Sequence, residues 1–100
     1  MLSRFKAPFK RYVKKAHLPL QLAIEDEVQV VCENPQIGEL KKGDLAGIRV
    51  HKFAFSRQTY LMAYRPVGTT GGFEFVAIDF YQVGSHENFY DDLKRYLKDE

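Results

Sequence analysis

The run from Phe73 to Val83, FEFVAIDFYQV, is apolar at nearly every position. A strand of that kind is covered on both faces, so this chain must place a layer of structure on each side of it. With 100 residues there is room for one such core and no second, which makes residues 1–100 a single domain. Apolar residues make up 45% and charged residues 28% of the chain, a balance that folds rather than staying disordered.

Two more runs read as strands: IRVHKFAF (48–55) and TYLMAYRPV (59–67), rich in β-branched and aromatic residues. The loop GTTGG joins the second to the central run, giving three meandering strands. Residues 2–6 offer room for a short strand at the sheet edge. Upstream of the meander, Phe9, Tyr12, Val13 and Ala16 recur at helical spacing after Pro8, which suits a first helical turn. Pro19 forces a break, and Leu20, Ala23, Ile24, Val28 and Val31 mark the buried stripe of a second helix, with Cys32 beside them. Pro35 ends it. A last helix from His86 to about Leu97 buries Phe89, Leu93 and Leu97. The fold class is α+β: an N-terminal helical hairpin packed on a small antiparallel β-sheet, with a C-terminal helix.

One strand is in conflict with itself. Strict alternation in IRVHKFAF puts Ile48, Val50, Lys52 and Ala54 on one face and Arg49, His51, Phe53 and Phe55 on the other. Neither set is cleanly apolar. Either a bulge shifts the register near His51, or one face carries function.

Net charge is only +2, but the charges are segregated. Residues 1–24 hold Arg4, Lys6, Lys10, Arg11, Lys14 and Lys15 and no acid; residues 45–70 hold Arg49, Lys52, Arg57 and Arg65 and no acid. Between them lies a segment dominated by Glu25, Asp26, Glu27, Glu33, Glu39 and Asp44. Uncompensated positive charge attracts phosphate backbones or acidic partners. No apolar stretch approaches a membrane span, and the basic N-terminus lacks the apolar block of a secretory signal, so the expected location is cytoplasmic with no membrane partner. Cys32 is alone, and His17, His51 and His86 are too scattered for a metal site, so no metal or cofactor is called for.

The stretch GSHENFYDDLKR (84–95) concentrates the chemistry. Ser85 suits a helix N-cap and Glu87 the positive helix end. That cap does not require His86, nor Tyr90 four residues later on the same helical face. An imidazole there, with Arg and Lys on neighbouring strands, suits general acid or base work on a phosphodiester. RNA supplies its own nucleophile, the 2′-hydroxyl, so its cleavage needs a base, an acid and cations for the developing charge. Arg49, His51, Lys52, Arg57, His86 and Tyr90 include all three kinds of group. Each has a plainer reading: Tyr90 as core, Lys52 and Arg57 as hairpin surface, His86 as a simple first-turn residue, His51 as a structural or solvated histidine, and Arg49 paired with Glu39 or Asp44 to hold the linker down.

NPQIGELKKGDLAGIRVHKFAF, then YLMAY, then GSHENFYDDLKRYL resemble the RelE/StbE-like branch of the RelE/ParE toxin superfamily, over nearly the whole chain. The resemblance implies one toxin domain of a type II toxin–antitoxin system, with a cognate antitoxin as its tightest partner. It implies a metal-independent endoribonuclease acting on mRNA at the ribosome, or alternatively a ParE-like inhibitor of DNA gyrase without nuclease activity. His86 takes the position after the strand-end glycine where such nucleases carry Arg or His, and Tyr90 that of an aromatic that stacks on a base or positions the phosphate. Arg49, His51 and Lys52 fall in the strand that supplies basic residues to the nuclease site. Arg57 is near a position often occupied by Arg. His86, Arg49, Arg57, His51 and Tyr90 are thus the catalytic candidates, and Lys52, Arg65, Lys10 and Lys14 the substrate-binding ones, with the basic first helix set against ribosomal RNA. Operator DNA is expected to be met only through the antitoxin.

Overall fold

The computed structural model describes residues 1–68 and 74–100. Most of the GTTGG loop and Phe73 lie outside the described residues. The elements are β1 (Leu2–Phe5), α1 (Ala7–Lys15), α2 (Leu18–Glu33), β2 (Glu39–Leu40), a 3₁₀ turn (Gly43–Leu45), β3 (Arg49–Phe55), β4 (Gln58–Gly68), β5 (Phe75–Ser85) and α3 (Phe89–Asp99).

The strands form one sheet in the order β1-β5-β4-β3-β2. The meander β3-β4-β5 is antiparallel, as its hairpins require, but β1 pairs with β5 in parallel, Leu2 opposite Ala77 through Phe5 opposite Phe80. Among the described residues the sheet is therefore five-stranded and mixed, which corrects the expectation of a small antiparallel one, and the short edge strand for which residues 2–6 offered room precedes the helical hairpin. Arg4 pins β1 down: its guanidinium meets the buried Asp79 carboxylate through two N–H groups, a bidentate pairing that matches fork to fork.

Each face of β5 meets a different layer. Ile78, Phe80 and Val83 pack with Phe9, Leu20, Ile24 and Val31 of the helical hairpin. Tyr81 packs on the other side with Leu45, Ile48, Val50, Phe89 and Leu93. A residue the size of Leu or Phe gains about 1.5–3 kcal/mol by such burial, and only a strand apolar on both sides collects it twice. Between Ala63 and Tyr64 the β4–β5 register slips: Ala63 faces Gln82 and Tyr64 faces Phe80, so Tyr81 is the extra residue of a bulge.

The conflict in β3 resolves without a bulge there, because its pairing with β4 is continuous from Arg49–Tyr64 to Phe55–Gln58. Val50 belongs to the α3 side and Phe53 to the helical-hairpin side, so each face of β3 has its own apolar layer. Among the described residues no helix is long and apolar enough to cross a membrane.

Candidate functional site

The stretch 84–90 is built differently from a helix cap. Ser85 is the last residue of β5, paired with Tyr60, and α3 starts only at Phe89. Between them, His86 to Phe89 make a turn in which the Phe89 N–H donates to the His86 carbonyl at 3.3 Å. Asn88 holds a left-handed conformation (φ 58°), which Asn tolerates better than most residues, and caps α3 through its backbone only. The reading of Ser85 as N-cap and His86 as first helical residue is corrected by this turn. Buried Gln82 fixes the turn from below, its Nε2 donating to the Phe89 carbonyl at 2.8 Å.

The turn leaves the His86 imidazole exposed, its ring centroid 6.1 Å from that of Tyr90 in an edge-on arrangement. Tyr90 is half-buried, resting on the core that holds Phe89 and Leu93. The Lys41 ammonium stands over the Tyr90 ring, 5.4 Å from the centroid, a cation–π contact. Lys41 follows β2 and is held by Glu39 at 2.9 Å, two residues back and so on the same face of that strand. The Glu39 hydrogen bond is the first cause raising the Lys41 ammonium above its ordinary pKa. In return, Lys41 pulls the Glu39 carboxylate below its ordinary value, and the charge of Lys52 adds to that.

Lys52 belongs to this face by register. Glu39 is opposite Val50, Val50 packs toward α3, and Lys52 is the next residue on that side of β3. The α3 face of the sheet thus gathers His86, Tyr90, Lys41 and Lys52 along one ridge, with His86 and Lys52 exposed and Tyr90 and Lys41 partly buried. Of the residues singled out in the sequence, His86, Tyr90 and Lys52 share it.

The others stand elsewhere. Arg49 points to the helical-hairpin face, where its Nη1 donates to the carbonyls of Gly38 (2.8 Å) and Gln36 (3.3 Å) and ties the linker to β3. His51, on that same face, is buried and places Nε2 2.7 Å from Glu27 Oε1 of α2, with its ring stacked on Phe53. Arg57 occupies the two-residue β3–β4 turn with Ser56, both at positive φ (66° and 51°). Since Tyr60 is level with Ser85, Arg57 lies about 10 Å further along the strand direction. Arg65 is on the α3 face, four residues and hence about 13 Å along β4 from Leu61, the partner of Lys52. Its guanidinium lies over the Tyr81 ring at 5.4 Å and donates to the Tyr81 hydroxyl at 3.1 Å. Lys10 and Lys14 are exposed on α1, beside an apolar groove of about 450 Å³ between α1 and α2. A larger cleft of about 710 Å³ runs between α1 and α3 across Val83, Gly84 and Ser85, with Arg11 and Lys15 on one wall and Asp92 and Arg95 on the other.

Lys41 is the residue that sequence reasoning passed over. It sits in a segment whose acids dominate the count, and the double lysine of LKKGDLAG was its only signal. As a set, the ridge carries an imidazole, a phenol and two ammonium ions outside any enclosed cavity, which suits a polymer held by its backbone rather than an enclosed metabolite.

A family model described as ParE-like toxin of type II bacterial toxin-antitoxin system matches residues 4–94. Among solved structures, the chain resembles a chain of the intact E. coli RelBE toxin-antitoxin complex, with a TM-score of 0.65 at 19% identity over 86% of this chain and 96% of that one. It resembles the isolated E. coli RelE toxin with a TM-score of 0.61 at 17% identity, over 95% of this chain and 97% of that one. No curated protein sequence matches.

Proposed function

We propose that this chain, which belongs to the family of ParE-like toxins of type II bacterial toxin–antitoxin systems, is an endoribonuclease that cuts mRNA on the ribosome and is restrained by a cognate antitoxin. The observation that carries the reading is the juxtaposition of His86 and Tyr90, 6.1 Å between ring centroids, with Lys41 over the Tyr90 ring. In this reading the RNA 2′-oxygen attacks the adjacent phosphorus and the 5′-oxygen leaves. His86 is the proton-transfer group for these oxygens. Tyr90 stacks on a base or donates a proton, and Lys41 and Lys52 hold the negative charge that grows on the phosphorane oxygens. Arg49 and His51, turned to the other face of the sheet, hold the scaffold. Lys10, Lys14 and Arg65 belong to the outer electrostatic footprint, where phosphate contacts position a nucleic acid without reading its sequence. An antitoxin partner is supported by the likeness to a chain of the E. coli RelBE complex.

The ParE-like character of the family model favours a second reading, a gyrase inhibitor that acts by surface contact alone. One pair of assays separates the two. Purified protein is added to a translation reaction on a defined mRNA, and in parallel to gyrase with relaxed plasmid. Cuts within the codon in the ribosomal A site, with supercoiling unaffected, are expected. Intact mRNA together with blocked supercoiling overturns the nuclease reading.

A further inference from the structure

We propose that Glu39 is a built-in competitor for the substrate phosphate: in the free protein its carboxylate occupies the Lys41 ammonium, and an RNA phosphodiester must displace it. The inference rests on the nuclease reading above and assigns Glu39 a part in it that the reaction itself does not require.

The two partners differ sharply in exposure. The Lys41 side chain is 20% exposed and that of Glu39 67%. The cation is fixed, packed over Tyr90 in the ridge, while its acid reaches in from solvent. Lys52 acts on the same carboxylate, so Glu39 sits in the field of both lysines that the proposed site offers to an anion. An ion pair whose acid is this exposed contributes little to folding, because water screens the carboxylate and a long side chain must be ordered to make the contact. Its consequence falls on binding instead. A bare Lys41–Lys52 pair beside His86 would attract any anion, and a tethered carboxylate blocks weak ones. An RNA chain overcomes the block because several phosphates engage at once and release counterions, which one carboxylate cannot match.

The test uses a short single-stranded RNA, 2′-O-methylated so that it binds without being cut, titrated into the purified full chain at low salt. Glu39→Gln, which keeps the shape and removes the charge, is expected to bind about three- to fivefold more tightly. The gain should vanish in Glu39→Gln/Lys41→Met and shrink as salt is raised. Asp26→Asn makes the same charge change at an exposed position on α2, and is expected to leave affinity within about twofold. An equal gain from Asp26→Asn, or a gain that survives Lys41→Met, overturns the inference. So does unchanged affinity in Glu39→Gln when the parent binds the RNA and His86→Ala weakens it; that result leaves the nuclease reading standing. No RNA binding by any variant, with mRNA left intact on the ribosome, brings down both.

Discussion

His51 and Lys52 are adjacent in the chain and face opposite sides of the sheet. The His51 imidazole is buried 2.7 Å from Glu27 of α2, and Lys52 is exposed on the face that carries α3. The two positions should therefore fail in different ways. His51→Ala leaves Glu27 half-buried without its partner and is expected to cost about 1–3 kcal/mol in urea unfolding while the folded fraction still cleaves mRNA. Lys52→Ala is expected to leave the unfolding midpoint in place and to slow cleavage about tenfold or more.

Tyr64 closes the linker between α2 and β2. Its hydroxyl donates to the Pro35 carbonyl at 2.8 Å and accepts from the Gly38 N–H at 2.9 Å, and the ring is fully buried. Tyr64→Phe leaves both backbone groups wanting and should cost about 1–3 kcal/mol. Burial raises the Tyr64 phenol above its ordinary 10.0, and Tyr12 and Tyr81 shift the same way for the same first cause. The unfolded chain then loses these protons before the folded one does. Stability is fully present below the ordinary value of 10.0 and is lost as pH rises from there through the folded values. Unfolding midpoints taken across the alkaline range should fall, and fall less steeply in Tyr64→Phe.

Gly38 is required by that same hydroxyl. A β-carbon there would meet Tyr64 Oη at 2.8 Å and the Val50 backbone carbon at 3.0 Å. Gly38→Ala is expected to lower stability by about 1–3 kcal/mol, since the Val50 backbone cannot step aside. Calorimetry on the purified variant checks it.

Ser56 and Arg57 both adopt positive φ in a two-residue hairpin turn, a conformation in which L-residues with side chains are strained. Replacing them with Asn-Gly should stabilise the protein by about 1 kcal/mol. The same variant removes the Arg57 guanidinium from the tip of the hairpin. Cleavage is expected to stay within about threefold, as for a flanking phosphate contact rather than one at the reacting phosphorus.

Much of the fold is legible in the sequence because its signals are local. Pro8 and Pro19 lie in the first turns of α1 and α2, and the doubly apolar run becomes a strand covered on both faces. The parallel pairing of β1 is not legible in the same way. Four residues of ordinary composition find their partner some 75 positions away, held by Arg4 and Asp79. The start of α3 is not legible either, because Gly-Ser-His followed by a helical stripe imitates a cap. The true boundary is set by a left-handed Asn88 and by Gln82 reaching across to Phe89. At the candidate site, His86 and Tyr90 are one turn apart in sequence and could be paired by eye. Lys41 joins them only through the β2–β3 register, and alternation alone could not say which face of β3 would meet α2 and which α3.

The most direct test of the central claim is the chemistry of the cut. A defined mRNA carrying a single 2′-deoxy residue at the mapped cleavage position is presented on ribosomes to the parent protein, beside the all-ribose message and the His86→Ala variant. With the 2′-oxygen as nucleophile and His86 moving protons, the all-ribose message should yield a 2′,3′-cyclic phosphate end and a 5′-hydroxyl end. The deoxy message should stay intact, and His86→Ala should slow cleavage about a hundredfold or more. Cleavage that tolerates the deoxy residue, or that runs at parental rate in His86→Ala, would contradict the assignment of this ridge as the site.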